Sequence, residues 1–240
     1  MVGADGGSSS VRKLLDIPQQ IRDYQQTAIV LEVDAERDRP STAYERFTAA
    51  GPLALLPVGR KRYSVIWTLR TAEADEQLAL PDALFRDRLQ DAFGQWIGRL
   101  ELATPRVGFP LSLIRAARMT DQRVVLIGNA MHQIHPVAGQ GFNLGLRDAA
   151  QLAEMLTVRQ RFGEDIGDAD FLSDYAAARH KDLNNVVLFT DSLVRLFSTS
   201  FPPLALVRNL GLVALDNLPG AKRLLARHAM GLGGRIPLVG

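Results

Sequence analysis

Cysteine is absent from the 240 residues, which rules out disulfides and thiolate metal sites and leaves a reducing compartment allowed. Long apolar runs are missing too: none approaches the roughly 20 residues that a bilayer-spanning helix needs. The Gly- and Ser-rich start does not read as a secretory leader, which would be basic and then apolar. Charge of one sign is scarce. Lys and Arg number 28 against 26 Asp and Glu, and a net charge of +2 is too small to argue for a nucleic-acid partner. What remains is 47% hydrophobic and 22% charged residues, the balance of a soluble globular protein, expected in the cytoplasm. The length suffices for one domain or two small ones.

The richest stretch is Gly128-Asn-Ala-Met-His-Gln-Ile-His-Pro136, continued by Val137-Ala-Gly-Gln-Gly-Phe-Asn-Leu-Gly-Leu-Arg-Asp148. An apolar run, residues 123–127, leads in as a strand. A helix leads out, with Phe142, Leu146, Ala149, Leu152, Ala153 and Leu156 at helical spacing. Between them Gly139, Gln140 and Gly141 let a flat or anionic ligand approach the backbone. The N–H groups there open a helix, at the positive end of its dipole. Taken alone, the loop could equally be a tight strand-to-helix turn.

This composite resembles the second flavin-binding motif of the FAD-dependent aromatic hydroxylases, the group that includes para-hydroxybenzoate hydroxylase. The wording is most similar to the ubiquinone-biosynthesis branch, in which the 2-octaprenyl-6-methoxyphenol hydroxylases fall. The motif opens Gly128-Asn129 where the wider family has Gly-Asp. The resemblance extends through Tyr44-Glu-Arg-Phe47, Gly51-Pro-Leu-Ala-Leu-Leu-Pro57 and Thr190-Asp-Ser-Leu-Val-Arg-Leu-Phe197. The N-terminal Met1-Val-Gly-Ala-Asp-Gly-Gly-Ser-Ser-Ser-Val-Arg12 is similar to the family's middle motif. There Val2 reads as the tail of a strand, Ser8 to Ser10 as a helix cap, and Val11 to Leu15 as a short helix.

The resemblance implies FAD, with Asp5, Gly6 and Arg12 toward the ribityl–pyrophosphate part and Arg12 as a charge partner for phosphate. It implies Gly128 and Asn129 at the ribityl chain and Pro136 beside the ring. Backbone N–H groups from Gly139, Gln140, Gly141, Phe142 and Asn143 would stabilise the reduced flavin's charge, as an oxyanion hole does. Asp148 would anchor the loop by hydrogen bonds, and Arg147 would be solvated. His135 would shape the ring pocket. The spacing of His132 and His135 suits two metal ligands on one helical turn, but no third ligand is evident, so no metal is expected. No catalytic acid or base is assigned.

The implied fold is α/β (α+β): the C-terminal part of an FAD/NAD(P)-binding Rossmann-like domain, an inserted mainly antiparallel sheet, and a helical C-terminus. Residues 1–23 and 116–170 belong to the flavin domain, 24–115 to the substrate sheet, and 171–240 to the helical region. Strands are expected near 25–33, 42–47, 53–57, 63–69 and 104–113, the last interrupted at Pro110. A helix is expected over 81–93 with Leu84, Leu89 and Phe93 inward. Trp67, Phe47, Leu55 and Leu113 would each be core, and their sheet together would wall an apolar pocket. The family's Gly-x-Gly-x-x-Gly fingerprint is absent, since residues 231–234 have neither a strand before them nor an acidic residue after. The chain is therefore expected to be the C-terminal portion of a longer enzyme.

The implied activity is a monooxygenase of ubiquinone biosynthesis. NAD(P)H would reduce FAD, O2 would form a flavin C4a-hydroperoxide, and OH would pass to a polyprenylated (methoxy)phenol. Rival readings stay open: another FAD enzyme of the fold, such as a prenyl reductase or a hydroxylase of a soluble aromatic, or a non-catalytic fragment or scaffold of the pathway. The apolar residues 186–215, with Arg195, Arg208, Lys222, Arg223 and Arg227 nearby, read as a helical cap. The alternative there is contact with the inner membrane surface or with other ubiquinone-biosynthesis proteins.

Overall fold

Alternating burial along residues 28–35 and 62–70 sets the architecture of the computed structural model, which describes residues 1–48, 50–198, 211, 217–221 and 223. The elements in chain order are β1 (Val2–Gly3), α1 (Ser10–Leu14), β2 (Gln19–Ala35), β3 (Tyr44–Phe47), β4 (Pro52–Gly59) and β5 (Arg62–Arg70). Then come α2 (Thr71–Ala79), α3 (Asp82–Phe93), β6 (Leu100–Leu102), β7 (Val107–Ala116), β8 (Thr120–Asp121), β9 (Val124–Leu126), β10 (His132–Gln133), α4 (Gln140–Arg161) and α5 (Ala169–Ser198). The fold is α+β, and two units cluster separately. One holds Met1–Arg22 and Ser112–Leu193; the other holds Asp23–Leu111 and the end of α5 from residue 194.

In the sheet unit the strands run β7-β2-β5-β4-β3, with β6 also pairing β2. Register places Ile29 opposite Trp67, and Trp67 opposite Leu53. Side chains alternate across a pleated strand. Hence Ile29, Leu31, Val33, Leu53, Leu55, Tyr63, Val65 and Trp67 all face one side and are buried. That side is covered by α3, whose Phe85, Leu89 and Phe93 recur at i, i+4 and i+8. Gly94, at φ +92°, ends the helix and donates its N–H to Gln90 O. The inward residue is Phe85 rather than the expected Leu84, which is largely exposed. Trp67 and Leu55 belong to this core and line no open wall. The opposite face carries Val30, Ile66 and Ala54 in register.

Several elements differ from expectation. β2 starts at Gln19, because its first half alternates nothing apolar and so carried no strand signal. β7 runs unbroken through Pro110. β6 is only three residues long, and α2 buries only Ala74, so neither had a periodicity to detect. In the other unit, β1 pairs parallel with β9 and β8 pairs antiparallel with β9. β10 pairs antiparallel with the end of β7. The unit's core runs from Met119, Val125 and Leu126 to Leu144 and Leu152 of α4 and Phe171, Tyr175 and Leu183 of α5. Of the apolar stretch 186–215, the structure describes residues to 198 and residue 211. Arg208, Lys222, Arg227 and residues 231–234 lie outside the described residues, and the side chain of Arg195 is likewise not described.

Candidate flavin site

Three segments, the first more than 100 residues from the other two, meet in one unit. The first is the turn after β1. Ser9 caps α1, its hydroxyl accepting from Arg12 N at 3.0 Å. Asp5 is exposed and accepts from Ser10 N and Val11 N at 2.7 and 3.1 Å. The Ser9 hydroxyl and these N–H groups hold its carboxyl below the usual range.

Arg12, expected toward the phosphates, is turned inward. It is 2% exposed, and its guanidinium donates to Gly7 O and Ala130 O, both at 2.7 Å. With one N–H of each terminal nitrogen on a carbonyl inside the protein, it clamps the first turn to the second segment.

The second segment, residues 128–136, is a 3-10 turn, the short β10 and a stretch of irregular chain. Gly128 stands at φ +55°, and a Cβ on Gly145 of α4 would lie 3.3 Å from the Gly128 Cα. A side chain at 145 would crowd the turn, while at 128 glycine is favoured by the left-handed backbone rather than by space. Asn129 is exposed at the tip, beside Ala130 on which Arg12 pulls. His132 and His135 are not on one helical turn. His132 lies on β10, where Nε2 sits 2.7 Å from Asp148 Oδ2. His135 is fully buried, and its Nδ1 accepts from Val137 N at 3.1 Å. Burial pushes the His135 pKa down to about 4 against the upward pull of Asp191. Among the described residues no three His, Cys, Asp or Glu side chains gather as metal ligands.

The third segment is the start of α4. Gly139 takes the N-cap position at φ +61°, a left-handed conformation, and no side chain caps the helix. Among the described residues, a Cβ built there would meet nothing within 4 Å. The glycine is thus required by its backbone, while the space in front of it is open. Gln140 is buried, Gly141 and Asn143 are half-buried, and Phe142 is 79% exposed. An uncapped 22-residue helix with open space before its first turn is a fit place for an electron-rich group.

The expected apolar face of α4 is also corrected. Phe142, Leu146, Ala149 and Ala153 are exposed, while Gln140, Leu144, Asp148 and Leu152 form the buried row at steps of four. Asp148 is therefore central and 1% exposed. Its Oδ2 accepts from Gly128 N at 3.0 Å and faces His132; its Oδ1 accepts from Arg179 Nε at 2.8 Å. Burial pushes this carboxyl upward, and the bonds from His132, Arg179 and Gly128 more than reverse that, leaving it below the usual range. Tyr175, Arg179 and Asp182 of α5 escaped the sequence reasoning. The available signal was an acidic residue sitting between Leu144 and Leu152 on the buried row.

With these segments in place, the comparisons decide the family. Residues 1–190 match the FAD binding domain family. The chain belongs to that family. Rhodospirillum rubrum has a relative, ubiquinone hydroxylase UbiL, that is 45% identical over 231 residues, covering 96% of this chain and 54% of that protein. The human mitochondrial ubiquinone biosynthesis monooxygenase COQ6 is 31% identical over 95% of this chain and 56% of its own length. Among solved structures, PqsL of Pseudomonas aeruginosa, a probable FAD-dependent monooxygenase, has a TM-score of 0.68 and 27% identity over 82% of this chain and 56% of that one. The p-nitrophenol 4-monooxygenase PnpA of Pseudomonas putida, at 18% identity and a TM-score of 0.74 over 98% of this chain and 59% of that one, shares the fold. This FAD-binding-family chain spans about half the length of the curated relatives it matches.

Proposed function

We propose that residues 128–143 hold the ring end of FAD in a monooxygenase that hydroxylates a polyprenylated phenol on the way to ubiquinone. The observation that carries this is the open, uncapped start of α4 at Gly139, braced against the 128–136 turn in a chain of the FAD-binding family. UbiL and COQ6, both named for ubiquinone chemistry, support the substrate class.

The division of labour among the residues follows from their placement. Backbone N–H groups at Gly139 to Asn143 would meet negative charge that develops at the ring, with no reorganisation needed because the helix is already formed. Asn129, exposed at the tip of its turn, would hydrogen-bond the ribityl chain as an uncharged partner. Pro136 would pack beside the ring. His135, neutral and buried, contributes shape rather than charge. Bound there, FAD would take reducing equivalents from NAD(P)H and activate O2. Within the sheet unit, the face bearing Val30, Ala54 and Ile66 would offer apolar surface to a prenylated ring. Among the described residues no helix is long and apolar enough to cross a membrane, so a lipid-borne substrate would be met at a surface.

Titrating the purified chain with FAD and following flavin fluorescence and absorbance tests the site. Saturable quenching with a perturbed visible band is expected, and an unchanged spectrum overturns the site. Assaying a protein of the relatives' full length with a prenylated methoxyphenol, NAD(P)H and O2 tests the substrate. Reductant consumption without a hydroxylated product would remove that substrate from the proposal.

A further inference from the structure

The bend at 128–136 has its fixed point on α5, some 50 residues further along the chain. A continuous run of buried and part-buried polar bonds connects them. Asp182 Oδ2 accepts from Arg179 Nη1 at 2.8 Å, Arg179 Nε donates to Asp148 Oδ1 at 2.8 Å, and Asp148 Oδ2 takes Gly128 N–H and His132 Nε2. Asp182 Oδ1 accepts from Arg147 Nη1 at 3.0 Å, so the same carboxylate also ties α4 one residue before Asp148. Both Asp148 and Arg179 are nearly sealed from solvent, at 1% and 6% side-chain exposure, so water competes little for either.

Each carboxylate oxygen of Asp148 therefore has a separate duty. Oδ1 faces α5 and Oδ2 faces the turn. Rotating the carboxylate would break both sets of bonds at once, and Arg179 is the partner that opposes the rotation from the α5 side. His132 Nδ1 has no hydrogen-bond partner among the described residues. The ring's tautomer is then set from the other side: Nε2 carries the proton and donates it to Asp148. A buried ion pair of this kind is weak evidence for stability, because an apolar replacement often does as well, but its geometry can select one arrangement among several. We propose that Arg179 is a positioning residue for the flavin-facing turn. By holding Oδ1 of Asp148 it aims Oδ2 at Gly128 and His132, so that α5 sets the bend of residues 128–136. The link from that bend to flavin affinity rests on the site proposed above; the link from α5 to the bend does not.

The test uses the full 240-residue chain, labelled with 15N. The readouts are the Gly128 amide resonance, the His132 ring-nitrogen shifts that report its tautomer, and FAD affinity by fluorescence quenching. Arg179→Lys keeps the charge but not the planar fork. It is expected to displace the Gly128 and His132 signals and to weaken FAD binding by about tenfold. Tyr175→Phe deletes a neighbouring buried bond, from the Tyr175 hydroxyl to Asp148 O at 3.0 Å, without touching the carboxylate. It is expected to lower stability while leaving both signals in place. The inference is overturned if Arg179→Lys leaves the signals unmoved, if Tyr175→Phe moves them as far, or if Arg179→Lys binds FAD as tightly as the wild type. Should the wild type bind no FAD, the flavin site fails while the two signals still decide the role of Arg179. Should Arg179→Lys not fold, Asp182→Asn takes its place; a smaller displacement of the same signals supports the inference and none overturns it.

Discussion

The two units differ in what they bury. In the sheet unit the interior is apolar and the ion pairs are outside: Arg62 and Asp34 pair at 2.9 Å with side chains 45% and 49% exposed. The other unit also has exposed pairs, such as Arg123 and Asp165, but it holds one inside, with Arg179 and Asp148 at 6% and 1%. Apolar burial is non-directional and tolerates small shifts, whereas a buried carboxylate has to meet its partners at hydrogen-bond geometry. The sheet unit is therefore built for stability, and the other unit for holding a loop in one shape.

The largest effect should come from breaking the apolar side of this contrast. Phe85→Ala opens a cavity beneath Trp67, whose ring centroid lies 5.8 Å from that of Phe85. A loss of about 3–5 kcal/mol is expected in urea unfolding. The Gly128 amide should not move, and a moved Gly128 signal would mean the contrast is misdrawn.

A second test turns on His135. Its folded pKa, about 4, lies below the ordinary unfolded value, so the unfolded chain binds the proton first. Stability is then full above about pH 6.5 and falls as the pH drops toward 4, by roughly 3 kcal/mol in all. His135→Leu should flatten the pH profile of stability in that window, and an unaltered slope would show that the ring is not held neutral. The Asp148 carboxyl, lowered instead of buried neutral, contributes stability above its unfolded pKa of about 3.9 and loses it only below that point. The two groups thus act in separate pH windows.

Much of the candidate site was legible because its chemistry sits in the main chain. Gly128, Gly139 and Gly141 announce backbone approach, and Ser9 announces a cap, wherever the rest of the protein lies. What escaped was the set of side chains that brace those backbones. Arg12 read as a charge partner for phosphate, and only the distance to Ala130 O shows it turned inward. Phe142 and Leu146 read as core because apolar spacing says nothing about which face of a helix has a neighbour, and here the polar row at 140 and 148 is the buried one. In the sheet unit the central strands were legible from alternation, whereas β6 and the exposed half of β2 carry none and are fixed by pairing alone.

Gly139→Ala makes a smaller change. With open space around the position, the whole cost is the left-handed backbone, about 1–2 kcal/mol by thermal unfolding. FAD quenching should weaken beyond what that loss explains. If affinity is untouched, the start of α4 is a turn and no more. Smallest of all is Arg62→Ala, which removes an exposed pair opposite Asp34. No measurable shift in the unfolding midpoint is expected, and a clear shift would show that surface charge matters to the sheet unit after all.

The Arg12 clamp has a consequence in time. It joins residues 118 positions apart, and β1 meets β9 across a similar gap. Between them lies nearly the whole sheet unit, whose hairpin β4–β5 closes over two residues. Short loops close early and long ones late, because closure entropy grows with the length enclosed. The turns of the candidate site are then expected to be the last part of the protein to take shape during folding. An intermediate that arrests before the clamp closes would hold a formed sheet and no site.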